Sequence, residues 1–189
     1  MPLAKTAYID ESLRVSHGLY ILAAVVVSDT EADHHRAALR ALLLRGQIRL
    51  HWRDESSGRR SQLITAMSAL RHTGAIVIAT DAAPRRQERA RRKCIERLLA
   101  ELASRAISTV VFERRHPDLD AHDRTMIAAL RRQQALPAAF RATWQQAVDE
   151  PLLWLPDIAA GAASLAETGD DACWASLATT FSVVHFTLT

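Results

Sequence analysis

The sequence predicts an α/β domain whose central mixed β-sheet is flanked by helices. Three observations carry this expectation. Strand-like and helix-like segments alternate along the 189 residues, the pattern of a sheet layered with helices. The first two strand-like segments lie too close for a crossover helix, so they should pair antiparallel and make the sheet mixed. At 49% hydrophobic and 24% charged, the chain has the make-up of a globular domain, and its length suits one buried core. A single domain is expected over residues 1–189, with the core over about residues 6–167 and a C-terminal extension over about 168–189.

Each element has its own reason. Residues 6–10 and 19–27 read as strands either side of a polar turn containing Ser16-His17-Gly18; the second is almost wholly apolar, as a strand covered on both faces would be. Residues 30–44 read as a helix, with Thr30 as N-cap, Asp33 three residues on and Gly46 beyond its end. Residues 49–53 alternate as a short strand would. Leu63, Met67 and Leu70 form one stripe of a helix over residues 60–70. Residues 75–79 are a third apolar strand, followed by a long helix over 85–104 whose Cys94, Leu98 and Leu102 face inward. A strand over 109–112 ends at Glu113, a helix spans 123–132, and residues 141–147 alternate as a last core strand. Pro117 reads as part of the loop between them. Pro156 suits the first turn of a final helix over about 157–166. The stretch 181–188 is strand-like and would serve as an edge strand or a dimer contact, so a homo-oligomer remains open.

Composition excludes several classes. Lys and Arg total 24 against 21 Asp and Glu, so the net charge of +3 is too small for binding nucleic acid by bulk charge alone. The longest apolar run, residues 19–27, is too short to span a bilayer, and the N-terminus lacks the apolar stretch of a signal peptide. Two cysteines make no disulfide framework, and a cytoplasmic, reduced setting is expected. With six glycines there is no dinucleotide or Walker loop; no Gly-x-Ser-x-Gly elbow and no zinc-protease His pair occur either.

Acidic residues collect at element ends. Asp10 and Glu11 close the first strand, Glu113 closes the 109–112 strand, and Asp157 opens the last helix. If the first strand continues, Asp10 and Glu11 point to opposite faces. Converging carboxylates repel unless a divalent cation neutralises them, and hard cations such as Mg²⁺ or Mn²⁺ take carboxylate oxygens. Taken singly, each acid also reads as a solvated cap or turn residue.

Two motifs narrow the choice. Tyr8-Ile-Asp-Glu-Ser12, followed by the apolar strand from Leu19, resembles the opening of a large bacterial domain family with a ribonuclease-H-like fold, and Leu155-Pro-Asp-Ile-Ala-Ala-Gly161 resembles its second hallmark, an Asp before small residues in the last helix. The resemblance runs from about residue 7 to about residue 166. The departures are Leu13-Arg14, where the family commonly has Gly, and Trp154 and Pro156 around the second Asp. In ribonuclease-H-like nucleases a first-strand Asp and a last-helix Asp hold two Mg²⁺ ions together with a middle-strand carboxylate. The resemblance therefore implies Asp10, Asp157 and Glu113 as ligands and catalytic residues of a Mg²⁺- or Mn²⁺-dependent nuclease. Asp81, Glu11, Asp54 and Asp149 remain rivals or additions. The alternative is a non-catalytic module of the same fold that binds a protein or nucleic acid.

Basic residues suggest where a nucleic acid would lie. The densest run is 85–93, with Arg86, Arg89 and Lys93 as candidate phosphate contacts; an exposed helix with internal pairs to Glu88 and Glu96 is the alternative. His51 could relay a proton beside a metal site or be a buried, hydrogen-bonded core residue. Arg114, Arg115 and His116 follow Glu113 and would stabilise charge on a phosphate, or simply begin a loop. Cys94 and Trp154 read as core.

Overall fold

The computed structural model describes residues 4–189; the first three residues, on which part of the N-terminal reading rests, lie outside the described residues. Among the described residues six strands form one mixed sheet: β1 (Lys5–Arg14), β2 (Leu19–Ser28), β3 (Thr73–Thr80), β4 (Thr109–Glu113), β5 (Arg141–Gln145) and β6 (Phe181–Thr187). Their order is β5-β4-β1-β2-β3-β6. Strands β1, β2 and β3 pair antiparallel in sequence order, while β4 adds to β1, β5 to β4 and β6 to β3 in parallel. The short connection predicted to force an antiparallel hairpin does so, through a tight turn in which Gly18 takes a left-handed φ of +62°.

Among the described residues five α-helices cover the sheet: α1 (Ala32–Arg40), α2 (Ser57–Ser68), α3 (Gln87–Ser104), α4 (Pro117–Arg132) and α5 (Trp154–Ala166). One face packs Tyr8, Ala23 and Val25 of the sheet against Leu39 of α1, Leu63 and Met67 of α2, and Ile158 of α5. The other packs Ile9, Leu22 and Val77 against Cys94, Leu98 and Leu102 of α3 and Ile127 of α4. Strand β2 touches both cores, which is why its sequence is apolar without alternation. Burying each such Leu contributes roughly 1.5–3 kcal/mol. Cys94 is core as expected, and burial pushes its thiol up to about 12.

Several sequence expectations change. Strand β1 continues to Arg14, so Asp10 and Glu11 do face opposite sides. Helix α1 is shorter than residues 30–44: Glu31, not Thr30, is its N-cap. Thr30 shares a hydrogen bond with Ser28 instead, and Leu42 and Leu43 close tighter turns onto Leu39 and Arg40. Residues 49–53 are no strand; Trp52–Asp54 form a 3-10 turn. Both edges of β2 are already paired, and the Trp52 N–H donates to the Asp157 carboxylate at 2.7 Å rather than to a ladder. Pro117 opens α4 instead of lying in a loop, with His116 as N-cap, because a helix's first turn needs no N–H from it. Likewise α5 begins at Trp154, with Pro156 inside its first turn. No helix among the described residues is long and apolar enough to cross a membrane.

Candidate functional site

Parallel pairing of β1 with β4 builds the site's floor. Ile9 pairs with Phe112, so Asp10 and Glu113 stand one step further along neighbouring strands, in register. Both side chains share the face of Tyr8 and Val111, the face that α5 covers. Asp157 joins them from the first turn of α5, which packs on β1 and β2 through its small residues. The three residues implied by the resemblance are therefore brought to one place from positions far apart in sequence.

Their electrostatics show the proximity. The Asp10 carboxyl is held well above its ordinary range, first by burial and then by repulsion from Glu113, Asp157 and Glu11. A hydrogen bond with Glu113 favours its protonated form further. Asp157 is pushed up to about 6, again chiefly by burial, with Glu113 adding to the rise; the Trp52 N–H and the nearby His51 and Arg49 oppose it. The Asp10 carboxylate also accepts the backbone N–H of Glu11 at 2.8 Å.

The segment between α1 and α2 completes the rim. Arg49 pairs with Glu113 at 3.0 Å, and His51 bonds Asp54 at 3.1 Å while its ring lies close enough to influence Asp157. Trp52 anchors this segment on α5. A Cβ on Gly161 would stand 2.1 Å from the Trp52 ring, so only glycine admits the indole there. That contact fixes the backbone N–H that holds Asp157. Beyond Asp157 opens a cavity of about 410 Å³ bordered by Arg14, His51, Arg53, Arg60 and Ser12. A smaller cavity, about 170 Å³, lies between Asp10, Glu113, Arg91, Arg114 and Arg115.

As they stand, the carboxylates do not form a closed ligand cage: among the described residues no group of three or more His, Cys, Asp or Glu side chains is set to hold a metal ion. Glu113 turns towards Arg49 and Asp157 towards the Trp52 N–H.

The other sequence candidates lie elsewhere. Glu11 faces the opposite core, bonded to Arg91 and Tyr20. Asp81 is exposed beside Gly18, at a left-handed φ of +57°. Asp54 is largely exposed on its turn, and Asp149 is exposed in the turn before α5. Arg86, Arg89 and Lys93 are exposed at and along the start of α3, whose core lies on the sheet face away from α5; Lys93 pairs with Glu96 at 3.0 Å. Arg49 and the Trp52 N–H were not anticipated as parts of the site. The alternation Arg49, His51 was the one signal, since both residues do reach the carboxylates. No protein-family model matches the chain, and no curated protein matches it in sequence.

Proposed function

We propose that this chain is a ribonuclease-H-like phosphodiesterase that cleaves nucleic acid with Mg²⁺ or Mn²⁺ held by Asp10, Glu113 and Asp157. The observation that carries the reading is the meeting of these three carboxylates on one sheet face, where burial and mutual repulsion raise Asp10 and Asp157. A first-strand Asp, a middle-strand acid and a last-helix Asp are the positions the sequence resemblance implies. Three carboxylates are a hard-oxygen donor set, the kind that Mg²⁺ and Mn²⁺ take. When bound, such a cation supplies charge neutralisation and a clamp on the phosphate oxygens.

The protein's own groups do the rest. Arg14, Arg53 and Arg60 border the cavity beyond Asp157 and would hold the phosphates flanking the scissile one. His51, positioned by Asp54, stands where a proton would be moved. The test is a calorimetric titration of Mn²⁺ into the wild type and Asp157→Asn, followed by oligonucleotide cleavage by both. Binding and cleavage that vanish together in the variant are expected. Cleavage that survives Asp157→Asn overturns the reading.

A second reading has one observation in its favour. The Arg49–Glu113 ion pair occupies a carboxylate that a metal would need. A non-catalytic module of this fold would keep that pair and bind its partner unchanged in EDTA.

A further inference from the structure

A second basic surface is more selective in its make-up than the α3 run. Along the outer edge of β5, between it and α4, runs a groove of about 570 Å³ bordered by Arg114, Arg124, Arg131 and Arg141, with Ile127 and Trp144 among its walls. No Asp or Glu borders it. None of its four arginines pairs with a carboxylate among the described residues, whereas Arg36, Arg49, Arg59, Arg91, Arg105 and Arg115 all do.

The guanidinium groups are held in place by neutral partners. Arg114 donates to the Trp144 carbonyl at 3.1 Å, Arg131 to the Phe140 carbonyl at 3.2 Å and Arg141 to the Ala138 carbonyl at 3.4 Å. Arg124 lies 4.6 Å over the Trp144 ring. Such contacts fix a guanidinium without neutralising it, and each retains further N–H donors. Four like charges gathered with no counter-charge cost stability in the free protein, and an anion in the groove would remove that cost.

The layout is two pairs: Arg114 and Arg124 lie about Trp144, and Arg131 and Arg141 about the turn before β5. Arg124 and Arg131 are seven residues apart on α4, which separates them by about 10 Å. Arg141 begins β5, and Arg114 reaches the carbonyl of Trp144 near its other end, roughly 10–13 Å along the strand. A single small anion would engage one or two of these groups; a repeating polyanion would engage them all. The groove lies on the α3 side of the sheet, and at Arg114 it meets a cavity bordered by Arg49, Glu113 and Arg115, so a chain lying in it would pass round the strand ends to the carboxylates on the other face.

We infer that the Arg114–Arg124–Arg131–Arg141 groove binds the phosphodiester backbone of a nucleic-acid strand and feeds it towards Asp10, Glu113 and Asp157. The destination rests on the proposed nuclease reading; the binding does not.

Binding of fluorescently labelled single-stranded and duplex oligonucleotides, read by anisotropy in EDTA over a salt series, tests this. The proteins are the wild type, Arg124→Gln/Arg131→Gln, Arg141→Gln and, as a control surface, Arg86→Gln/Arg89→Gln. Removing two phosphate contacts should weaken binding roughly tenfold and lower the salt slope by about 1.4–1.8, while the α3 control binds like the wild type. Should the double variant not fold, Arg141→Gln carries the test, with about half that loss of slope. Unchanged affinity and slope in the groove variants overturn the inference, as does loss confined to the α3 control. A polyglutamate peptide that competes as well as an oligonucleotide overturns the phosphodiester assignment. Retained groove binding with cleavage unaffected by Asp157→Asn would defeat the nuclease reading alone. Cleavage lost in Asp157→Asn with normal binding by the groove variants would defeat this one alone.

Discussion

Asp10 and Glu11 are adjacent in one strand and have opposite fates. Glu11 enters the α3 side of the sheet and meets the Arg91 guanidinium, which also grips Asp123 at 2.8 Å. Arg115 adds a second contact to Asp123 at 3.3 Å, and the Tyr20 hydroxyl donates to Glu11. Glu11 and Asp123 there each have a cation. Asp10, on the α5 side, has two further carboxylates for neighbours and no ion pair among the described residues. Among the described residues, Arg49 on Glu113 is the one cation paired directly with the trio. The same residue class is thus neutralised internally on one face and left in mutual repulsion on the other. Only the second arrangement leaves acids, Asp10 and Asp157, without an ion-pair partner among the described residues, and the proposed site lies there.

The largest expected effect comes from breaking the neutralised side. Arg91 is 3% exposed and Asp123 2% exposed, so Arg91→Met strips half-buried Glu11 of its ion-pair partner and leaves buried Asp123 with only the longer Arg115 contact. That should destabilise the protein by about 3–5 kcal/mol in urea unfolding. A loss under about 1 kcal/mol would mean that water replaces the guanidinium, and the contrast between the faces would weaken.

The repelling side should respond to pH in the unusual direction. Folded Asp157 keeps its proton up to about pH 6, whereas an ordinary Asp releases it near 3.8. Between these values the folded state binds more protons than the unfolded chain, so stability is full at the acid end and falls as pH rises through the window. The difference corresponds to at most about 3 kcal/mol, less wherever water reaches the partly buried carboxyl. Asp10, displaced in the same direction, adds to the fall. Urea midpoints in EDTA should therefore decline towards neutral pH in the wild type and decline less in Asp157→Asn. Parallel pH profiles for the two proteins would remove the repulsion argument.

Packing at Trp52 sets the next effect. Gly161→Ala would place a methyl inside the indole, and relief requires Trp52 to move with the N–H that holds Asp157. Overpacking of this kind costs about 1–3 kcal/mol. Mn²⁺ affinity should fall with it, whereas Ala160→Gly, on the same helix, should lower stability without changing metal binding. Equal metal affinity in Gly161→Ala and the wild type would detach Trp52 from the site.

How much of this could be read in the chain follows from where the information lies. Strand periodicity and the short first hairpin were legible because they are local, and they placed Asp10 and Glu11 on opposite faces in advance. Asp157 was singled out by its motif and Glu113 as a middle-strand acid with Asp81 as its rival, since no local pattern says that residues 10, 113 and 157 meet; that depends on β1 pairing with β4 in register. Residues 49–53 misled because their alternation is real but serves two partners, Glu113 and Asp157, rather than a ladder. The basic run of α3 was conspicuous through density. The α4–β5 groove was not, because its arginines are spread over residues 114–141 and only tertiary packing collects them.

The smallest effect bears most directly on the proposed metal site. Arg49 is 41% exposed at its side chain and Glu113 24%, so their pair contributes about 0.2–1 kcal/mol and Arg49→Gln should barely change the melting temperature. Its influence on the carboxylates is of another kind. The guanidinium neutralises Glu113 and lowers the demand for a cation, and it also repels an incoming divalent ion. Arg49→Gln should therefore tighten Mn²⁺ binding by a few-fold, while Glu113→Gln weakens it. Because Arg49 also borders the approach to Glu113, cleavage by the variant should drop even as metal affinity rises, for want of a contact to the phosphate. If Arg49→Gln weakens Mn²⁺ binding instead, Glu113 is held by its ion pair for structural reasons. The two faces of the sheet would then differ only in how completely their acids are neutralised.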